Sequence, residues 1–263
     1  MKYVVVTGAF GGMGKAVTEH FLKEGYYVFG IDKYPTEAKP NYLPLVADVS
    51  DEESLKRAFC AVKEVTQEVF AILHFVGIYL LDSLVEISEE NFCRAFDVNL
   101  FGAYRVNKIF LPLLKNGGRV VITTSELAPL APLPFTGLYA VTKSALDKYA
   151  YSLRMELQLL GIKVIVFRLG AVKTEMLGAS QKALDDFCNT TKIYSCNAKR
   201  FKNIVNKVEA RNIPPQKIAK KTVKVLRTKN PKYVYNVNRN PLLLLLNALP
   251  QRWQTWIIKK ILK

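Results

Sequence analysis

The chain has 263 residues, 50% of them hydrophobic and 11% aromatic, with a formal net charge of +16. A chain of this length and apolar content buries a core, which argues against disorder and allows one sizeable α/β domain or two small ones. The positive excess points to a polyanion or an anionic membrane surface as neighbour, but no nucleic-acid recognition motif accompanies it and no nucleic-acid partner is expected.

Residues 2–7 form a short β-branched run of the kind that is buried on both faces of a parallel sheet. The run leads into Gly8-Ala-Phe10-Gly-Gly12-Met13-Gly14 and then a helical pattern through about Glu24, stopped by Gly25. A second strand over 27–31 ends on Asp32. Strand, glycine turn, helix, strand and acid together make a mononucleotide-binding unit. The glycines let the backbone approach a pyrophosphate, whose charge sits at the helix N-terminus. A carboxylate at the position of Asp32 accepts hydrogen bonds from the adenosine ribose and repels a 2′-phosphate, which favours NAD over NADP. Lys33 beside it softens that repulsion.

Further strands are expected over 43–47, ending at Asp48, over 70–75, closing at Gly77, and over 118–124, with Ser125 at the carboxyl end. Between them lie a capped helix from Ser50 to about Val65 and a single long amphipathic helix from Ser88 to about Leu111, with Asn99 in its middle. A proline-rich loop over 129–134 leads to a helix, and strands over 163–167 and 232–236 follow. Alternation at this spacing predicts one doubly wound parallel sheet of about seven strands with helices on both faces. The four cysteines (Cys60, Cys93, Cys188, Cys196) lack CxxC spacing and His neighbours, so free thiols and no metal site are expected. His20 and His74 read as structural. No charged-then-apolar leader and no run of about 20 apolar residues is present, which leads to the expectation of a cytoplasmic protein.

The helix after the proline-rich loop carries Tyr139 and Lys143 on one face. A phenol beside a fixed ammonium ionises more readily, which would suit proton exchange with an alcohol or ketone near neutral pH. Tyr104 and Lys108 repeat the spacing, so the pair gains its weight from the rest of the chain.

With these pieces in order, the chain resembles the short-chain dehydrogenase/reductase family over nearly its whole length. Thr7-Gly8-Ala-Phe-Gly-Gly12-Met-Gly14 resembles the family's TGxxxGxG cofactor loop, and Asp48-Val49 its adenine-contacting pair. Asn99, Ser125, Tyr139 and Lys143 match the four catalytic positions, and the segment from Gly170 through Val172 to Thr174 matches the stretch that holds the nicotinamide amide. The resemblance implies a Rossmann-type fold and hydride transfer between a nicotinamide cofactor and a secondary alcohol or ketone. It implies Tyr139 as proton carrier and a cofactor contact, Lys143 as its modulator and ribose ligand, Ser125 as donor to the substrate oxygen, and Asn99 as holder of a proton-relay water. A homodimer or homotetramer, formed through the helices of Asn99 and Tyr139, is implied as well.

The chain departs from the family in three places. The usual Asn-Asn-Ala-Gly is His74-Phe75-Val76-Gly77, the Pro-Gly after strand six is Leu169-Gly170, and the interval from Ser125 to Tyr139 is one residue longer. Strict counting from Tyr139 would select Glu126, whereas an insertion in the proline-rich loop keeps Ser125, the better neutral donor.

The segment 171–212, with Met176, Leu177, Leu184, Phe187, Tyr194 and Phe201, corresponds to the family's substrate lid. Its apolar content suggests a lipophilic substrate, or else simply closes the core. Residues 241–263 form an extension of two short helices split by Pro250, rich in Leu, Trp, Ile, Lys and Arg, which suits either peripheral membrane contact or packing on the lid or a partner subunit. The chain thus reads as a dehydrogenase domain over 1–240 followed by this extension. The apolar lid and basic tail look most like the hydroxysteroid and retinol dehydrogenase group. That implies a steroid or bile acid, with a long-chain 3-keto lipid or retinoid as the alternative. A cofactor-binding regulator without turnover is the rival from another class.

Overall fold

Seven apolar runs become the strands of one parallel sheet: β1 (Tyr3–Thr7), β2 (Tyr27–Asp32), β3 (Tyr42–Val46), β4 (Val69–His74), β5 (Leu114–Ser125), β6 (Lys163–Leu169) and β7 (Val234–Val237). Their order is β3-β2-β1-β4-β5-β6-β7, and every neighbouring pair is parallel. The computed structural model describes residues 1–208 and 212–263. The predicted α/β doubly wound sheet is therefore the observed one.

Parallel strands covered on both faces read as unbroken apolar runs, and period-two alternation assigns each residue to a layer. Val5 and Phe29 face α2 (Glu52–Val65), α4 (Gly102–Phe110) and α5 (Gly137–Leu157), where they meet Leu55, Val62, Phe110 and Leu146. Val4 and Val6 face α1 (Gly12–Lys23) and α8 (Pro215–Arg227), where they meet Val17, Phe21, Ile218 and Val223.

The expected long helix over 88–111 is instead α3 (Glu89–Phe96), a π-helical turn over Asp97–Phe101, and α4. The amphipathic period continues through the turn, so periodicity alone does not reveal it. Such turns widen the backbone by one residue and commonly mark functional positions. This one carries Asn99.

The segment expected as a lid forms α6 (Glu175–Thr190) and α7 (Ser195–Val208), and the expected tail forms α9 (Pro241–Ala248) and α10 (Gln251–Leu262). Lid and tail share a third apolar cluster, in which Leu184, Phe187 and Phe201 meet Leu81, Phe135 and Leu262. Leu184, Phe187 and Phe201, which the sequence offers as a lipophilic substrate surface, are thus turned inward, and Tyr194 packs against them. Met176 alone of the six reaches the groove described below. Residues 209–211 of the expected lid lie outside the described residues.

Candidate active site

The site begins where β1 and β4 lie side by side, because the chain leaves them in opposite directions and a crevice opens at their carboxyl ends. Two glycines permit the close turn there. Gly8 has φ +68°, and a Cβ on it would lie 2.9 Å from backbone atoms of Phe75 and Val76. A Cβ on Gly14 would lie 2.0 Å from the Gly8 carbonyl oxygen, a distance only backbone movement could relieve. Gly14→Ala is therefore expected to destabilise the fold by ~1–3 kcal/mol through forced overpacking. Dinucleotide affinity should fall more steeply than stability. Thermal melts with calorimetric titration of NAD check this, and unchanged affinity would contradict the assignment of the loop.

Gly8, Gly12, Met13, Gly14, Asp32, Asp48, Val49, Gly77 and Thr174 line one groove of about 500 Å3. Phe10 and Val172 stand behind it. The Phe10 N–H donates to Asp32 Oδ2 at 3.1 Å, and Val172 is buried and bridges to Ile213. Burial raises the Asp48 carboxyl, but hydrogen bonds from the Ser50 N–H (2.9 Å) and hydroxyl (2.6 Å), with the charges of Lys33 and Arg94, bring it below its ordinary value. Arg94 also lines the groove, a contact that no motif or spacing in the chain announces. A glycine cradle at a helix N-terminus with a carboxylate at the second strand tip fits a dinucleotide.

At the inner end of the groove the four remaining residues converge. Asn99 is buried and fixed on three sides. Its Oδ1 accepts from the Ile78 N–H at 2.8 Å, and its Nδ2 donates to the Ile78 carbonyl at 3.0 Å and to Thr142 Oγ1 at 3.1 Å. Its amide therefore clamps the chain after β4. A methyl group on Gly77 would sit 3.2 Å from Lys143 Nζ and 3.3 Å from Asn99 Oδ1, so the glycine keeps this junction open. Lys143 is buried, its Nζ donating to the Thr123 carbonyl at 3.4 Å and lying 5.8 Å from the Tyr139 ring centre.

Ser125 accepts from the Leu127 N–H at 3.2 Å and stands in hydrogen-bond contact with the Tyr139 hydroxyl. Glu126, the alternative by counting, turns away. Its Oε2 accepts from the Asn240 N–H at 2.6 Å, and burial raises its carboxyl. Tyr79 from the lid cluster packs over Tyr139, with ring centres 4.8 Å apart.

The acidification of Tyr139 by Lys143 expected from spacing is not what the protein groups produce. Burial pushes the Tyr139 hydroxyl up to about 12, only partly opposed by the hydrogen bond with Ser125. Burial also lowers Lys143 to about 8. For both groups the largest cause is burial, and Lys143 is the more deeply buried of the two.

His74, which replaces the family asparagine, is buried with Nε2 2.9 Å from Asn107 Oδ1, and Asn107 Nδ2 donates to the Tyr149 hydroxyl at 3.1 Å. Burial lowers it to about 4, so it is a neutral brace, and Thr123 donates to its carbonyl at 2.8 Å. Lys108 lies against Tyr104 on the exposed side of α4, with no serine beside the pair.

A family model described as short chain dehydrogenase matches residues 2–185. Among curated relatives, estradiol 17-beta-dehydrogenase 2 of Mus musculus is 32% identical over 192 residues, covering 68% of this chain but only 50% of that protein. The NADPH-dependent 3-dehydrocapnine reductase of Ornithobacterium rhinotracheale is 28% identical over 100% of this chain and 98% of its own length. The 3-ketodihydrosphingosine reductase of Bacteroides thetaiotaomicron is 24% identical over 95% and 92%. A short chain dehydrogenase family protein from Francisella tularensis superposes with a TM-score of 0.75 at 23% identity, covering 90% of this chain and 97% of that one. This chain is a member of the short chain dehydrogenase family, an oxidoreductase fold built around an NAD(P) site.

Proposed function

We propose that the protein transfers hydride between NAD(H) and a secondary alcohol or ketone of a bulky lipophilic molecule, a hydroxysteroid or bile acid first. A long-chain 3-keto lipid or a retinoid is the alternative substrate class. The observation that carries the reading is the meeting of Ser125, Tyr139 and Lys143 beside Gly77, which lines the glycine-rich groove. A regulator without turnover would have no need of that alignment.

The bound nicotinamide supplies the hydride donor or acceptor. Ser125 holds the substrate oxygen and offers a hydrogen bond where charge develops. Tyr139 Oη takes the hydroxyl proton in oxidation and returns it in reduction. Lys143, lowered to about 8, is poised to share that proton load. Asn99 holds Ile78 and, through Thr142, the helix of Tyr139 and Lys143.

Asp32 supports NAD over NADP, although Lys33 and Arg94 at the same end add positive charge that a 2′-phosphate would welcome. The names of the relatives, two of them reductases of keto compounds, support a lipophilic carbonyl. Assembly into a homodimer or homotetramer belongs to the same reading. Exposed Phe92, Phe101, Tyr104, Tyr151 and Met155 lie along α3, α4 and α5 and the turn between.

Steady-state assays with hydroxysteroids, bile acids and long-chain 3-keto lipids, each with NAD(H) and NADP(H), test the proposal. Turnover with a higher kcat/KM for NAD(H) is expected. Dinucleotide binding with no substrate converted in either direction would sink it.

A further inference from the structure

The last two helices are fixed to the rim of the site rather than trailing from it. Glu126 holds Asn240 at 2.6 Å, Asn247 Oδ1 accepts from the Ala131 N–H in the proline-rich loop at 2.7 Å, and Asn197 Nδ2 of α7 donates to the Leu262 carbonyl at 2.7 Å. Inward packing of α10 is complete in one stripe, Gln254, Ile258 and Leu262 at i, i+4 and i+8. The outward side is nevertheless apolar. Leu242 is 62% exposed, Leu245 65%, Trp253 60%, Trp256 59% and Ile261 52%. Trp253, Trp256 and Ile257 fall at i, i+3 and i+4, on one side of the helix, with Lys260 at i+7.

Charge identifies what covers this face. Residues 241–263 carry Arg252, Lys259, Lys260 and Lys263 and no acidic residue, and α7 beside them adds Lys199 and Arg200. A second copy seated on the same face would bring these cations against their own images with no carboxylate between them. An anionic lipid surface meets both demands, since tryptophan and leucine sink to the acyl boundary while lysine and arginine meet the head groups. No helix among the described residues is long and apolar enough to cross a bilayer, which leaves an in-plane seat. Leu84, Val85 and Ile193 are exposed as well, with Glu86 Oε1 accepting from the Ile193 N–H at 3.2 Å.

We propose that α9 and α10 form a plate that seats the protein on an anionic bilayer with the mouth of the site toward the lipid, so that the lipophilic substrate is taken from the membrane. The docking stands on the tail alone. The clause about substrate rests on the hydride-transfer reading.

The two tryptophans of the chain are Trp253 and Trp256, both on this face, so the emission of the native protein reports the contact directly. The probes are vesicles of phosphatidylcholine alone and of phosphatidylcholine mixed with phosphatidylglycerol, with and without brominated acyl chains. A blue shift and bromine quenching are expected with the anionic vesicles only, reversed by high salt. The combined variant Arg252→Gln, Lys259→Gln, Lys260→Gln, Lys263→Gln should bind anionic vesicles at least ~10-fold more weakly at unchanged turnover of a dissolved substrate. Unshifted emission in excess anionic lipid overturns the proposal. So does sedimentation with vesicles that leaves the tryptophans unquenched. A lipid-free blue shift rising with protein concentration alongside a doubled mass would assign the face to a second copy, and overturns it too. Emission needs no turnover, so vesicle binding by a protein that converts no substrate refutes the enzymatic reading and leaves the docking intact.

Discussion

Replacing Tyr139 by Phe is expected to lower kcat by roughly 10²- to 10⁴-fold, the usual worth of a positioned proton donor and acceptor. Cofactor affinity should hold, because the groove is built from the glycine turn, Asp32 and Asp48 and does not include the phenol. The variant should fold as well as the native chain, since only a hydroxyl in contact with Ser125 is removed and the ring remains against Tyr79. The measurement is kcat against pH together with calorimetric titration of NAD. A Phe variant that turns over at the native rate would remove Tyr139 from the chemistry. A variant inactive only because it no longer binds NAD would place the residue in the cofactor site instead.

Lys143→Met makes the second large effect, with opposite signs for activity and stability. Burial lowers the Lys143 ammonium from 10.5 to about 8. At 1.36 kcal/mol per pH unit, holding that charge in the pocket costs the fold about 3 kcal/mol at neutral pH. Its hydrogen bond to Thr123 is long at 3.4 Å and returns little of this. Methionine fills a similar volume without charge, so the variant should be more stable by about 2–3 kcal/mol at pH 7 and nearly inactive. The pH dependence follows from proton counting. Between about 8 and 10.5 the unfolded lysine still holds its proton while the folded one has released it, so native stability climbs with pH in that window. The Met variant should lack that climb. Urea melts at pH 7 and in the alkaline range check both statements, and a less stable variant at pH 7 would mean that Lys143 is paired in a way that offsets its burial.

What could be read directly from the chain was what lies close along it. The first strand, glycine turn, helix and Asp32 form one local unit, and Tyr139 and Lys143 are a turn apart, so spacing places both on the correct elements. The strands follow because a parallel sheet buried on both sides leaves apolar runs such as Val4-Val5-Val6. Contacts across long separations stayed hidden. Asn99 reaches Thr142 across 43 residues, and His74 reaches Asn107 across 33. Nothing in a helical pattern announces the π turn around Asn99, whose residues keep the apolar period while the backbone widens. Lid apolarity was visible but its direction was not, because two helices can hide the same side chains against each other or offer them to a ligand. The burial that shifts Tyr139 and Lys143 likewise comes from many distant residues at once. Spacing could show only the favourable charge pair.

Consecutive residues at the end of β5 hold two partners, Ser125 the Tyr139 hydroxyl and Glu126 the Asn240 N–H at the start of the tail. Mechanically the carboxyl terminus and the reaction centre therefore hang from one hinge pin. Clipping the chain just ahead of Asn240 would take away the N–H that the buried Glu126 carboxyl accepts, leaving it only the charge of Arg239. That slackness would reach the serine next door. A protease acting far from the groove would then be felt as lost turnover, without a single groove residue having changed.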